Sequence, residues 1–230
     1  MPRFVIVMLA FVAGWVDAGS FVGLDHVMAA HITGNLVILA GAIATGLQDT
    51  DLLKIAILPI FFVAVMLMTV VHDRFIARHD DPARHIRGLL VIESVLIAGT
   101  GILGVMTTLN GWTLDFWLAL LVVTPVTFGM ALQNTLHRLY PIVGPATTVM
   151  TGNITQFFID RTRHLAGRTS RSLINDMPKN NTLLPILIFA FGIGCVLGAV
   201  TTMKLGNGSF LVPAILVMAS APFARKPPEK

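Results

Sequence analysis

Two stretches, HITGNLVILAGAIATG (His31–Gly46) and VMTGNITQFFIDRTRH (Val149–His164), share the word Thr-Gly-Asn. Each follows residues that suit irregular backbone: Gly23 to His31 in the first case, and Pro141, Gly144 and Pro145 in the second. Each then continues as an apolar helix of about ten residues, half of the roughly 20 that a bilayer crossing needs. The segments His26–Gly46 and Pro141–His164 therefore read as re-entrant. An extended stretch goes to the bilayer middle and a half-helix returns to the side it came from.

Around them lie apolar runs at Phe4–Leu24, Leu52–His72, Gly88–Thr108, Leu114–Leu136 and Leu183–Met203, with a shorter one at Ser209–Phe223 that contains Pro213. Of the 230 residues, 55% are hydrophobic and 12% charged, about half the charge share of roughly 25% in soluble domains. Mean hydropathy is +0.79. These values exclude a soluble globular domain and an extended disordered chain. They indicate an all-α integral membrane protein of about six transmembrane helices plus two re-entrant half-helices. Arg3 followed by an apolar run without a small-residue cleavage site reads as a retained first span. The single cysteine, Cys195, excludes an internal disulfide framework and a multi-cysteine metal site.

Charge placement tests the re-entrant reading. With neither segment crossing and a cytoplasmic N-terminus, Arg3, Arg74, Arg78, Arg84, Arg87, Arg138, Arg161, Arg163, Arg168, Arg171, Lys179, Arg225, Lys226 and Lys230 fall inside. Only Lys54 and Lys204 fall outside. With both segments crossing, one arginine cluster would be translocated, against the positive-inside bias. The net charge of +4 thus belongs to cytoplasmic loops that face membrane lipid, and no nucleic-acid partner is implied.

The order span, half-helix, span, span occurs twice, over residues 1–110 and 111–224, with 225–230 as a cytoplasmic tail. Three crossings per unit is an odd number, so the second unit is inverted relative to the first. Inverted repeats with broken helices are a plan of secondary transporters, with the solute site near the midplane. Thr33, Gly34 and Asn35 would then approach Thr151, Gly152 and Asn153 near the membrane centre. Thr33 and Thr151 are candidate helix caps, Gly34 and Gly152 allow close backbone approach, and Asn35 and Asn153 add amide groups. Two facing helix N-termini favour an anionic or polar solute.

Asp17 lies deep in the first span within GWVDAGSF, and its counterparts in the fourth are Gln133 and Asn134 within GMALQN. A carboxylate at that depth is a functional candidate. Asp17 either carries a coupling proton or bonds the backbone of a re-entrant loop and never titrates. Glu93, five residues into the third span, reads as reaching the interface or pairing with a loop arginine. One of Asp25, His26 and His31 could line an outer vestibule, and two histidines five apart with an aspartate nearby are weak support for a metal. His72, His79, His85, His137 and His164 read as solvated, and Trp112, Trp117 and Tyr140 as interfacial anchors. GxxxG spacing at Gly19 and Gly23, and at Gly194 and Gly198, serves internal packing or a homodimer.

The words GWVDAGSF, HITGNLVILA, GMALQN and ATTVMTGNITQ, in this order over nearly the whole chain, resemble the YoaK family of uncharacterised bacterial inner-membrane proteins. That resemblance implies a bacterial inner-membrane location and no particular solute. The plan is also similar to that of uracil and sulfate permeases, which oppose two half-helix N-termini across a midplane site. No nucleophile elbow, HExxH or clustered acid pair appears, so an enzyme is not expected, and no cofactor or metal is implied. The leading expectation is a secondary transporter of a small anionic or polar solute, with both termini cytoplasmic. A channel and a non-transporting scaffold or sensor subunit are the alternatives.

Overall fold

Backbone N–H and C=O groups in hydrocarbon must be satisfied within the segment that carries them, so apolar runs of this length become helices. The computed structural model describes residues 1–48, 51–76, 81–140, 143–166 and 182–224, and among these it contains helices and no strand. Among the described residues eight α-helices follow in order: α1 (Arg3–Gly23), α2 (Ile32–Thr45), α3 (Leu52–Val71), α4 (Pro82–Leu109), α5 (Phe116–Leu139), α6 (Met150–Leu165), α7 (Leu183–Leu205) and α8 (Leu211–Ser220). Single 3-10 turns flank α8 at Gly206–Phe210 and Ala221–Phe223, and a π-turn, His72–Ile76, ends α3. Five stretches of the described residues are long and apolar enough to cross a membrane, the last running over α7 and α8 together. Pro141, Arg78, His79, Arg168, Arg171, Lys179 and the 225–230 tail, read above from the sequence, lie outside the described residues.

Contacts fix the direction of each helix. A Cβ on Gly194 would stand 2.0 Å from the Phe11 carbonyl oxygen, and one on Gly198 2.3 Å from that of Trp15. So α1 and α7 lie side by side, parallel, with backbone against backbone. The GxxxG spacing is used up inside the bundle: Gly19 faces Thr202 and Phe210, and Gly23 faces Asn207. At Gly206 (φ +60°) the chain folds back. The Phe223 ring then meets Phe4 at 5.2 Å, and Arg87 Nε donates to the Ala224 carbonyl at 3.2 Å. Residues 206–224 thus run back alongside α4, which lets them approach through Gly101 and Gly104.

Helix α5 runs antiparallel to α4 and carries Pro125. Proline cannot donate and disturbs the ladder around it. Here the Thr100 hydroxyl enters the gap, donating to the Val122 carbonyl at 2.8 Å and accepting from Val126 N–H at 3.1 Å. Helix α3 packs beside α5 and ends near it, where His72 meets the Tyr140 ring at 5.2 Å.

These directions sort the charges. Arg3, Arg74, Arg84, Arg87 and Arg138 lie toward the Arg3 end of α1, as do Arg161 and Arg163 at the end of α6. Lys54 and Lys204 lie toward the Gly23 end. Lys54 is 2% exposed, and its Nζ donates to Asp51 at 2.9 Å, which neutralises a cation held at the rim of the bundle.

Candidate functional site

After α1 the chain reverses through Asp25 (φ +50°) and His26 (φ +62°). It descends again to the level of Asp17, and α2 starts there. Asp17 Oδ1 accepts from the Ala30 N–H at 2.6 Å and the His31 N–H at 3.2 Å, while its other oxygen pairs with His31 Nδ1. The Ser20 hydroxyl accepts from the Ala29 N–H at 3.3 Å. Asn35 clamps the loop from the other side: its Nδ2 donates to the Met28 carbonyl and its Oδ1 accepts from the Met28 N–H, both at 2.8 Å. The Ala29 and Ala30 N–H groups are buried and would otherwise be orphans.

The second loop is built the same way from the opposite end of the bundle. Asn153 Nδ2 donates to the Ala146 carbonyl, seven residues back, as Asn35 does to Met28. Asn134 Oδ1 accepts from the Thr148 hydroxyl, and His137 Nε2 meets the Thr147 hydroxyl at 2.8 Å. Aligned without a gap, Met28–Asn35 and Ala146–Asn153 place Ala29 against Thr147 and Ala30 against Thr148. Backbone N–H donors to Ser20 and Asp17 in one loop thus correspond to hydroxyl groups on His137 and Asn134 in the other. Gln133 Nε2 ties the second loop to α1, donating to Thr147 Oγ1 at 2.6 Å and to the Leu9 carbonyl at 3.0 Å.

Leu9 and Asp17 lie four residues either side of Ala13, the middle of α1. At 1.5 Å per residue the two polar levels are about 12 Å apart along the axis. Asp17 and His31 also floor a largely apolar cavity of about 410 Å³ between α1 and α7, walled by Phe21, Met28, Phe191 and Cys195.

Several expectations change. The helices begin before the threonines: the N-cap positions are His31 and Val149, neither side chain caps its own helix, and Thr33 and Thr151 sit exposed in the first turn. Asn35 and Asn153 fold the loops so tightly that helix geometry starts two residues earlier, at Ile32 and Met150. The helices are accordingly 14 and 16 residues long rather than about ten. A Cβ on Gly34 would meet the Met28 sulfur at 2.7 Å, but one on Gly152 would meet nothing, so close approach matters only at Gly34. His137 and Tyr140 are buried at 8% exposure rather than solvated or interfacial, because the second loop folds over them. Trp112 and Trp117 are exposed. Glu93 neither reaches the interface nor meets an arginine: it is fully buried between helices, and neither carboxyl oxygen has a partner. Among the described residues no group of three metal-ligating side chains occurs.

The threonines and asparagines of the two words should therefore respond oppositely to truncation. Thr33→Ala and Thr151→Ala are expected to change stability by less than about 0.5 kcal/mol. Asn35→Ala strands the part-buried Met28 N–H and C=O and Asn153→Ala the part-buried Ala146 C=O, and each should cost roughly 1–3 kcal/mol. Thermal unfolding of the four purified variants in one detergent separates the pairs, and equal losses in all four would refute the assignment.

The family described as Protein of unknown function (DUF1275) matches residues 5–222. A curated relative, the UPF0700 transmembrane protein YoaK of Bacillus subtilis (strain 168), is 22% identical over 210 residues, covering 91% of this chain and 88% of the relative. No solved structure matches the chain.

Proposed function

The chain belongs to the DUF1275 family of proteins of unknown function, and we propose from its own geometry that it is a small secondary transporter for a polar solute. One observation carries this reading. Two half-helices enter from opposite ends of a helical bundle, and corresponding bonds hold their N-terminal ends inside it, Asn35 to Met28 and Asn153 to Ala146. Residues 1–110 and 111–224 are then inverted repeats of three crossings each. Residues 206–224 make the sixth crossing, antiparallel to α7.

The packing supports the same correspondence. Helix α1 lies on α7 as α5 lies on α3, and α2 lies on α3 as α6 lies on α7. Helix α4 meets α5 as α8 meets α1. Non-helical backbone at membrane depth is tolerated where it is buried in protein or lines a wet path, and opposed broken helices of this kind hold solutes in transporters. The solute path would run between the Asp17 level and the Gln133–Asn134 level, with one level exposed at a time.

The geometry favours a neutral or cationic polar solute over an anion. In the first unit the loop N–H groups at the start of α2 already face the Asp17 carboxylate. A solute anion would compete with it there. Uptake of labelled neutral, cationic and anionic solutes by proteoliposomes of the purified chain tests this. Accumulation of a neutral or cationic solute above protein-free vesicles is the expected result. No accumulation of any class would leave the scaffold reading in its place.

Orientation is tested separately. In a Cys195→Ser background, an impermeant thiol reagent applied to intact cells should label Gln48→Cys and Trp112→Cys, at the Gly23 end, and spare Arg163→Cys. The arginine-bearing end would then be cytoplasmic, as the positive-inside bias requires. Labelling of Gln48→Cys together with Arg163→Cys would remove one half-helix assignment.

A further inference from the structure

Glu93 lies inside α4, six residues beyond Arg87. It is 0% exposed, and neither carboxyl oxygen has a hydrogen-bond partner. Its helix is held closely on two sides. Gly129 of α5 lies against the Glu93 backbone, and the neighbouring Ser94 hydroxyl donates to the Ala214 carbonyl of α8 at 2.7 Å. No cation compensates it among the described residues. On α4, Arg87 is engaged with the Ala224 carbonyl, and Arg84 and His85 lie a further turn toward the end. On α5 the ionisable side chains are His137 and Arg138, eight and nine residues beyond Gly129, and His137 is engaged with Thr147. Residues 206–223, packed along the other side, contain none.

A carboxylate without a partner in such a place is far more costly than a carboxylic acid, because only the charged form loses its hydration. Asp17, by contrast, accepts two N–H bonds and pairs with His31, so its carboxylate is compensated. We propose that Glu93 is a reversible proton-binding site, standing as the neutral acid in this packed state and releasing its proton when water reaches it. The step breaks one O–H bond, leaves a carboxylate and passes H⁺ to water, with no other reactant. Resting on the transport reading, Glu93 rather than Asp17 then carries the coupling proton.

Infrared spectroscopy of the full chain in lipid nanodiscs tests the site without any solute. The C=O stretch of a protonated carboxylic acid should be present at neutral pH and fade on strongly alkaline titration. It should persist in Asp17→Asn, vanish in Glu93→Gln and move in Glu93→Asp. Absence of the band from the wild type at neutral pH, or its survival in Glu93→Gln, would overturn the proposal. If Glu93→Gln does not fold, the band shift in Glu93→Asp carries the same decision.

Proteoliposome uptake then tests the coupling. An inward proton gradient should accelerate uptake by the wild type and leave Glu93→Gln uptake unchanged; a retained gradient effect in that variant would overturn the coupling role. Should the wild type transport no solute while the infrared band behaves as expected, the transport reading falls and the proton site stands.

Discussion

Asp17→Ala is expected to unfasten the first re-entrant loop and cost roughly 2–4 kcal/mol, about 1–3 kcal/mol from the buried Ala30 N–H and less from the part-buried His31 N–H and Nδ1. The Ala30 and His31 N–H groups and His31 Nδ1 would all lose their acceptor. Ser20 and Asn35 would still hold Ala29 and Met28, so the loop should loosen rather than leave the bundle. Asp17→Asn retains the oxygen that accepts the two N–H bonds and should recover most of the loss. Thermal unfolding in detergent gives the ordering, and hydrogen exchange at residues 28–31 localises it. An Asp17→Ala protein that melts with the wild type and protects those amides would sink the structural role. Uptake with an imposed proton gradient by Asp17→Asn provides the functional counterpart, and retained gradient dependence there fits a carboxylate that fastens the loop.

Gly194→Ala should be comparably damaging. The added Cβ would stand 2.0 Å from the Phe11 carbonyl oxygen and 3.0 Å from the Trp15 nitrogen, both backbone atoms. Rotamer changes cannot relieve such a clash, so α1 and α7 must part along their whole interface. Overpacking typically costs about 1–3 kcal/mol, and a backbone obstacle places this substitution at or above the upper end. Gly192→Ala is the matched control on the same helix, since its Cβ would meet nothing within 4 Å. Comparable melting temperatures for the two variants would mean that α1 and α7 are not in backbone contact. Because Gly14, Gly194 and Gly198 are all consumed by this contact, these glycines offer no surface for a second copy of the chain.

The membrane class and the positions of the long helices follow from the sequence alone. Lipid leaves an apolar run of about 20 residues no other way to satisfy its backbone, and the runs at Leu52–His72 and Leu183–Met203 coincide with α3 and α7 to within two residues. The repeated Thr-Gly-Asn word also located both loops, because the asparagine closes each one on the carbonyl seven residues before it. The roles of individual side chains were decided by tertiary structure. Thr33 resembles a cap in sequence, yet bonds made by Asn35 and Asp17 begin the helix before it. The partners of Asp17 are 13 and 14 residues away, a distance that no local periodicity encodes. Glu93 sits near the start of an apolar run, where a sequence offers it either solvent or an arginine. Only the packing of α4 against α5 and α8 removes both, and this leaves a carboxyl group whose chemistry is set by its burial.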